Sequence, residues 1–240
     1  MDMPNYPEPE KDVLVAFVYH SLRLDRVPTN RETIERTLHR SIGPDSDPYV
    51  AGHGKSLALI FQIADDENLL PKVNNVFELD TVLPWLKRLH RNLTRSLAEF
   101  GALALDSGII KLSQIGEFRQ TAQTTESPFG TISAPNQYHI RELVMEWANE
   151  LNEFENKHMH EIRGTALSYD TAELFVDKAY EMSLKLAAIK PFEDQNNSMA
   201  RLVENLLRLH WGMPWKITVE SKRDEYAEEL RDVMKTYEDR

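Results

Sequence analysis

The chain has 240 residues, no cysteine, and 28 Lys and Arg against 39 Asp and Glu, a net charge of −11. That balance argues against a general nucleic-acid binder and against docking on an anionic membrane, because phosphate binding needs clustered cations; it leaves room for a small local cationic pocket. Without cysteine there are neither disulfides nor thiolate metal sites. A hydrophobic content of 41% supports a real core, and the 9 glycines, against roughly 17 at average usage, favour helix. The opening stretch MDMPNYPEPEKD lacks the basic and apolar regions of a signal peptide, and no run approaches the length of a membrane span. The expectation is a cytoplasmic protein with no nucleic-acid or membrane partner.

The first ten residues read as a loose arm. From Asp12, the apolar set Val13, Leu14, Phe17, Val18, Leu22 and Leu24 has helical spacing and stops before Pro28. Thr29 and Glu32 form a capping-box pattern for a second helix carrying Ile34, Leu38 and Ile42, ended by Gly43-Pro44. Asp47-Pro48 reads as N-cap and first-turn proline of a third helix reaching about Asn68. Asp80 is expected to cap a long helix bearing Leu83, Leu86, Leu89, Leu93 and Leu97, with His90 a hydrogen-bonded structural residue between Leu86 and Leu93.

Residues 109–137 are rich in Thr, Ser and Gln, and two extended runs, Glu117–Ala122 and Gly130–Ala134, are expected to pair as a small hairpin. A helix follows from about Tyr138 to Lys157; His158 and His160 beyond it have no third ligand in view and read as a solvated pair. Asp170 and Glu173 form a second capping-box pattern, opening a helix apolar on most sides and therefore central. The next helix carries Met199, Leu202, Val203, Leu206 and Leu207 and stops at Gly212. A charged helix from about Glu220 to Tyr237 closes the series.

The turn between the last two apolar helices, IKPFEDQNNSMAR, holds the chemistry. A buried helix, a polar turn and a new helix N-terminus bring unpaired backbone N–H groups and a positive dipole end together, which suits an anion. Asp194 is a candidate for holding a divalent cation, and Arg201, one turn inside the second helix, for reaching an anion at the turn. Asn196, Asn197 and Ser198 are equally ordinary N-cap residues, so capping alone also accounts for them.

Lys190 to Arg201, KPFEDQNNSMAR, resembles a degenerate form of the Fic (Fido) motif His-Pro-Phe-x-Asp/Glu-Gly-Asn-Gly-Arg-x-x-Arg, with Pro191, Phe192, Asp194, Asn196 and Arg201 matching. LRLHWGMPW after it, Leu89-His90 within LKRLHRNL, and Ile115 to Arg119, IGEFR, are similar to further family segments, in family order. The resemblance implies an all-α, Fic-like helical bundle with a small β-hairpin flap. It implies a site that transfers AMP from ATP to a protein hydroxyl, with magnesium on Asp194, phosphates on Asn196, Asn197, Ser198 and Arg201, and a target protein docked at the flap, residues 117–134. It divides the chain into an N-terminal arm and helices at 1–45, a Fic-like domain at 46–215 and a C-terminal helix at 216–240.

The departures carry as much meaning. Lys190 stands at the position of the family's catalytic histidine, the two glycines are Gln195 and Asn197, and the first arginine is Ser198. An ordinary lysine, with a pKa of about 10.4, is a poor general base near neutral pH but a serviceable phosphate contact. SLRLDR, Ser21 to Arg26, is similar to the family's inhibitory helix, with Asp25 at the position of a glutamate that pairs with the second motif arginine, here Arg201. Three readings follow: a catalytically impaired Fic-like protein that binds a nucleotide, a phosphate or a protein partner; a working nucleotidyl- or phosphoryl-group transferase with an atypical Lys190 site; or a pure interaction module whose turn binds nothing. ATP and magnesium are implied by the resemblance alone, and homo-oligomerisation stays open.

Overall fold

The computed structural model describes residues 9–39, 46–65, 79–99, 104–105, 108–109, 112–127, 130–162, 168–238 and 240. Eight α-helices are found among them: α1 (Lys11–Leu24), α2 (Arg31–His39), α3 (Pro48–Asp65), α4 (Leu79–Glu99), α5 (Ile140–Ile162), α6 (Tyr169–Ile189), α7 (Asn196–His210) and α8 (Arg223–Lys235). Two antiparallel pairs accompany them, β1 (Ala104–Leu105) with β2 (Gly108–Ile109), and β3 (Thr124–Ser127) with β4 (Gly130–Ser133). The all-α architecture with a β-hairpin is therefore the observed one.

The apolar periodicity of each helix decides what it buries. A single core gathers Val18 and Leu22 of α1, Ile60 of α3, Leu86, Leu89 and Leu93 of α4, Trp147 and Leu151 of α5, Phe175 and Met182 of α6, Leu202 of α7 and Trp211 at its C-cap. The C-terminal part of α6 is buried almost continuously from Met182 to Ile189, so it runs through the centre and delivers Lys190 to its end. A smaller cluster packs Tyr226, Leu230 and Met234 of α8 on Leu184, Ala187, Ala188 and Ala200. The charged helix α8 thus has a buried stripe at i, i+4, i+8 spacing.

Helix ends differ from the sequence expectation by a few residues: α5 runs on to Ile162 and so contains His158, and α8 begins at Arg223 rather than Glu220. Asp47 caps α3 as expected, its carboxylate accepting from Tyr49 N and Val50 N at 3.0 Å. The cap of α2 is Asn30 rather than Thr29, its amide oxygen accepting from Thr33 N at 2.8 Å. Ser168, not Asp170, caps α6, accepting from Thr171 N at 3.1 Å, and Asp80 lies within α4 rather than ahead of it. Ile42, Asn68 and Gly101 fall outside the described residues, as does the side chain of His160. His158 packs on Phe154 and Phe175.

The hairpin is also displaced. Its first strand is Thr124–Ser127, in register Thr124 to Ser133 and Ser127 to Gly130, not Glu117–Ala122. The backbone before it is drawn elsewhere: Arg119 N donates to Pro191 O and Gln120 N to the Glu193 carboxylate, both at 2.9 Å. A donor bound to the motif turn is not available to a sheet ladder.

The first helix ends in a sharp reversal. Val27 N bonds Leu22 O at 2.9 Å and Arg26 N bonds Arg23 O at 3.1 Å, with Arg26 left-handed at φ 60°. This is a Schellman ending with arginine where glycine is usual, and it turns Asp25 inward.

Where α3 crosses α4, Gly52 lies against the Leu93 carbonyl, and a Cβ on Gly52 would strike that oxygen. Replacing Gly52 by alanine gains about 1 kcal/mol of helix propensity, but the colliding atom is backbone and cannot swing away. We expect Gly52→Ala to lower stability by about 1–3 kcal/mol in urea denaturation; an unchanged or raised midpoint would show that the helices separate freely at this crossing.

Candidate functional site

The turn from Lys190 to Asn196 is held from three directions. Lys190 caps α6 in the left-handed region (φ 46°, ψ 64°), and Gln195 opens α7 likewise (φ 57°, ψ 18°). Between them the chain is closed by Asn196, whose amide accepts from Phe192 N at 3.0 Å and donates to Phe192 O at 2.7 Å. Both ends of the Asn196 amide therefore shape the turn.

From the flap side, Arg119 is 1% exposed and donates to Lys190 O at 2.7 Å, to Thr121 O at 2.6 Å and to Pro135 O. It fastens the motif to both feet of the hairpin. Burial lowers its pKa to about 10, against the pull of Glu193. The Glu193 carboxylate accepts from Gln120 N and from the Thr121 hydroxyl at 2.6 Å, and the Gln123 amide donates to Glu193 O at 2.8 Å.

From the core side, His90 stacks on Phe192 at 4.1 Å and 7°. Its Nδ1 accepts from Gly116 N at 2.9 Å, so Nε2 carries the proton and donates to Asp194 O at 3.2 Å. Burial drives the His90 pKa down to about 3 and keeps the ring neutral.

The structure brings Ser21, Asp25, Ser198 and Arg201 into one cluster. Arg201, 3% exposed, meets Asp25 Oδ2 through Nη2 at 2.5 Å. The same oxygen accepts from the Ser198 hydroxyl at 2.5 Å. Arg201 also donates to Ser21 Oγ and Ser21 O, both at 3.0 Å. Burial opposes the charge of Arg201, but the Asp25 carboxylate and the neighbouring Tyr226 hydroxyl together outweigh it, so its pKa is raised.

Ser21 passes the contact on to α3. Its hydroxyl bonds His53 Nε2 at 3.3 Å while His53 Nδ1 donates to Tyr49 O at 2.9 Å. Burial lowers the His53 pKa to about 4, with Arg201 adding to the shift.

Above the turn lies a cavity of about 820 Å³ between the end of α1, the motif turn, the hairpin and α8. Asp25, Lys190, Asp194, Asn196, Asn197 and Arg201 line it; Ser21 and Ser198 sit behind it, turned to Asp25 and Arg201. Lys190 Nζ donates to Thr124 O at 3.3 Å. Burial lowers the Lys190 pKa to about 8, Arg119 adds to this and Asp194 opposes it. Asp194 is raised by burial, opposed by the Gln195 N–H it accepts at 2.7 Å. Among the described residues no three His, Asp or Glu side chains gather into a metal-holding group.

The α8 wall of this cavity, including Arg223, Tyr226 and Leu230, has no motif behind it and reads in sequence only as a charged surface. His53 and Glu193 were equally silent. Arg119 carried a signal through IGEFR, though not its role as a clamp.

No known family model matches the sequence, and no curated protein is similar to it. Solved structures do match. A Fic domain-containing signaling protein from Bacteroides thetaiotaomicron aligns at TM-score 0.62 and 15% identity, over 95% of this chain and 75% of that one. Fic-1 from C. elegans aligns at TM-score 0.63 and 16% identity, over 94% of this chain and 57% of that one. A Fic family protein from Desulfovibrio desulfuricans aligns at TM-score 0.58 and 14% identity, over 97% and 60%. The fold is that of Fic domain proteins.

The two buried histidines make stability pH-dependent. Their folded pKa values, about 4 for His53 and about 3 for His90, lie below the ordinary value of about 6.5. The unfolded chain therefore takes up protons first as pH falls from about 6.5, and stability is lost as pH drops toward 4. We expect His53→Gln, which keeps a donor and an acceptor, to flatten unfolding free energy against pH in that window by up to about 1.4 kcal/mol per pH unit. Identical slopes for the two proteins would refute the assignment.

Proposed function

We propose that this chain is a catalytically impaired Fic-fold protein. On this reading its cavity binds a nucleotide or phosphate, its hairpin edge receives a protein partner, and AMP transfer is inefficient. The observation that carries this reading is the state of Arg201: the one arginine of the motif turn is closed on Asp25 and Ser21, and Ser198, at the first arginine position of the resembled motif, reinforces the closure. Asp25 acts as an internal stand-in for the anion. ATP and magnesium are the ligands the resemblance suggests. Asp194 would offer magnesium one carboxylate, and phosphate oxygens and water would complete its shell.

The β3–β4 hairpin lies beside the cavity, with most of β4 exposed. Its free edge suits an extended segment of a partner by backbone pairing. The same arrangement explains why transfer is weak. The phosphates of a nucleotide drawn up against Lys190 itself would favour its charged form, which cannot accept a proton.

One observation favours a second reading, a working transferase. Burial brings Lys190 to about 8, where a share of the amine is neutral and able to accept a proton. Labelled ATP decides between the two. We expect wild-type protein to incorporate little AMP into itself or a lysate, Lys190→His alone to restore little, and the quadruple change Lys190→His, Gln195→Gly, Asn197→Gly and Ser198→Arg to exceed any single change. Rapid labelling by the wild type, abolished by Lys190→Ala, would establish the second reading instead.

Nucleotide binding has its own test. Asp25→Ala leaves a buried guanidinium short of its carboxylate, a loss on the order of 3 kcal/mol. We expect the variant to melt lower than wild type and to recover more stability on adding ATP with magnesium, because the ligand now supplies the anion. Equal ATP shifts in both proteins, with no heat of binding by calorimetry, would remove the nucleotide from the proposal.

A further inference from the structure

We propose that Lys190 is a nucleophilic amine and that the cavity takes a phosphate-bearing aldehyde, which Lys190 captures as an imine. The inference shares the cavity with the nucleotide reading but does not rest on it, since imine formation needs neither ATP nor magnesium.

The geometry begins with the backbone. Lys190 ends α6 in the left-handed region, and its carbonyl is gripped by Arg119 Nε at 2.7 Å. The Cα is therefore fixed, and the side chain lines the cavity of about 820 Å³. Its Nζ makes one hydrogen bond, to Thr124 O at 3.3 Å. No carboxylate forms an ion pair with it among the described residues. A neutral amine that donates one N–H to a fixed carbonyl keeps its lone pair on the nitrogen, available to an electrophile in the cavity.

The charged surroundings point the same way. Arg119 lies beside Lys190 and disfavours the ammonium form, Asp194 opposes this, and burial is the larger effect. A desolvated lysine next to a second cation is an established route to an amine reactive toward carbonyls. Elsewhere on the cavity wall, Asp25 and Arg201 are paired to each other and Glu193 is bound to Gln120 and Thr121.

A second observation supplies the anion end. Arg201 is 3% exposed and Tyr226 7%; Nη1 of Arg201 and the Tyr226 hydroxyl are buried beside one another, in a loose mutual contact and with no other hydrogen-bond partner. The guanidinium carbon is 6.0 Å from the Tyr226 ring centre. Both residues line the same cavity as Lys190. A guanidinium N–H and a hydroxyl that have only each other suit a phosphate group able to accept from both, and the electrophile would be held by that group with its carbonyl toward Lys190.

The step is balanced without any further reagent. The amine lone pair attacks the aldehyde carbon and a C–N bond forms, while the carbonyl oxygen takes up a proton. The carbinolamine nitrogen loses its proton, the hydroxyl leaves as water, and the C=N bond is complete. Nothing is oxidised or reduced.

The probe is pyridoxal 5′-phosphate, a phosphate-bearing aldehyde, added to the full chain at one molar equivalent. The imine is then trapped with borohydride and located by peptide mapping. We expect Lys190 to be labelled roughly tenfold faster than exposed lysines such as Lys222. Pyridoxal, which lacks the phosphate, should label Lys190 roughly fivefold more slowly. Lys190→Arg should abolish the dominant adduct while its melting temperature reports an intact fold. Label spread over the lysines with no preference for Lys190 would overturn the proposal. So would equal rates at Lys190 with and without the phosphate. Neither outcome depends on whether ATP binds.

Discussion

A single buried guanidinium holds the site together. Arg119 reaches the carbonyls of Lys190, Thr121 and Pro135, which belong to the end of α6 and to both feet of the hairpin. Three acceptors converge on one planar group whose donors are fixed in direction. The position of the turn, the position of the flap and the opening between them are thereby set by one side chain. Removing it would take this donor from three carbonyls, that of Pro135 buried and those of Lys190 and Thr121 partly so, and the loss would fall on all three segments at once. The charge is tolerated at this depth because Glu193 lies close by, itself bound to the same stretch of chain.

On the opposite side of the turn a second buried cation is handled differently. Arg201 has a full carboxylate partner in Asp25, and that carboxylate is shared with Ser198. Attraction at this range, inside a protein, together with the neighbouring Tyr226 hydroxyl, outweighs the burial of the charge. The two cations therefore define two kinds of boundary. Arg119 is satisfied by backbone and is structural. Arg201 is held chiefly by a side chain at the end of α1, and so ties the first helix to the motif turn.

Much of the fold was legible in the sequence. The apolar spacing of α1, α4, α6 and α7 located the core, and the nearly all-round apolar α6 placed Lys190 at the end of a central helix. What failed was local and had local causes. Asn30 and Ser168 took the caps expected at Thr29 and Asp170, since several polar residues compete at each helix start. The first hairpin strand moved from Glu117–Ala122 to Thr124–Ser127 because Arg119 and Gln120 bond to the motif turn instead. At the site, the meeting of Asp25 with Arg201 was legible only through two motif resemblances read together. The roles of His53, Glu193 and Tyr226 were not legible: His53 meets Ser21 across 32 positions and Glu193 meets Gln120 across 73. No periodicity records such pairings.

Lys190 and Gln195 both hold left-handed backbone with side chains longer than glycine's. Such a backbone admits glycine freely and asparagine or aspartate readily; it admits straight-chain residues at roughly 1–2 kcal/mol and disfavours the β-branched ones. Heritable change at these two positions is filtered accordingly. Valine, isoleucine and threonine are disfavoured there whatever the cavity could accommodate, so the chemistry at the end of α6 drifts chiefly among side chains not branched at Cβ. The conformation of the peptide chain, fixed by contacts made elsewhere, thus limits which reactive groups the site can ever display.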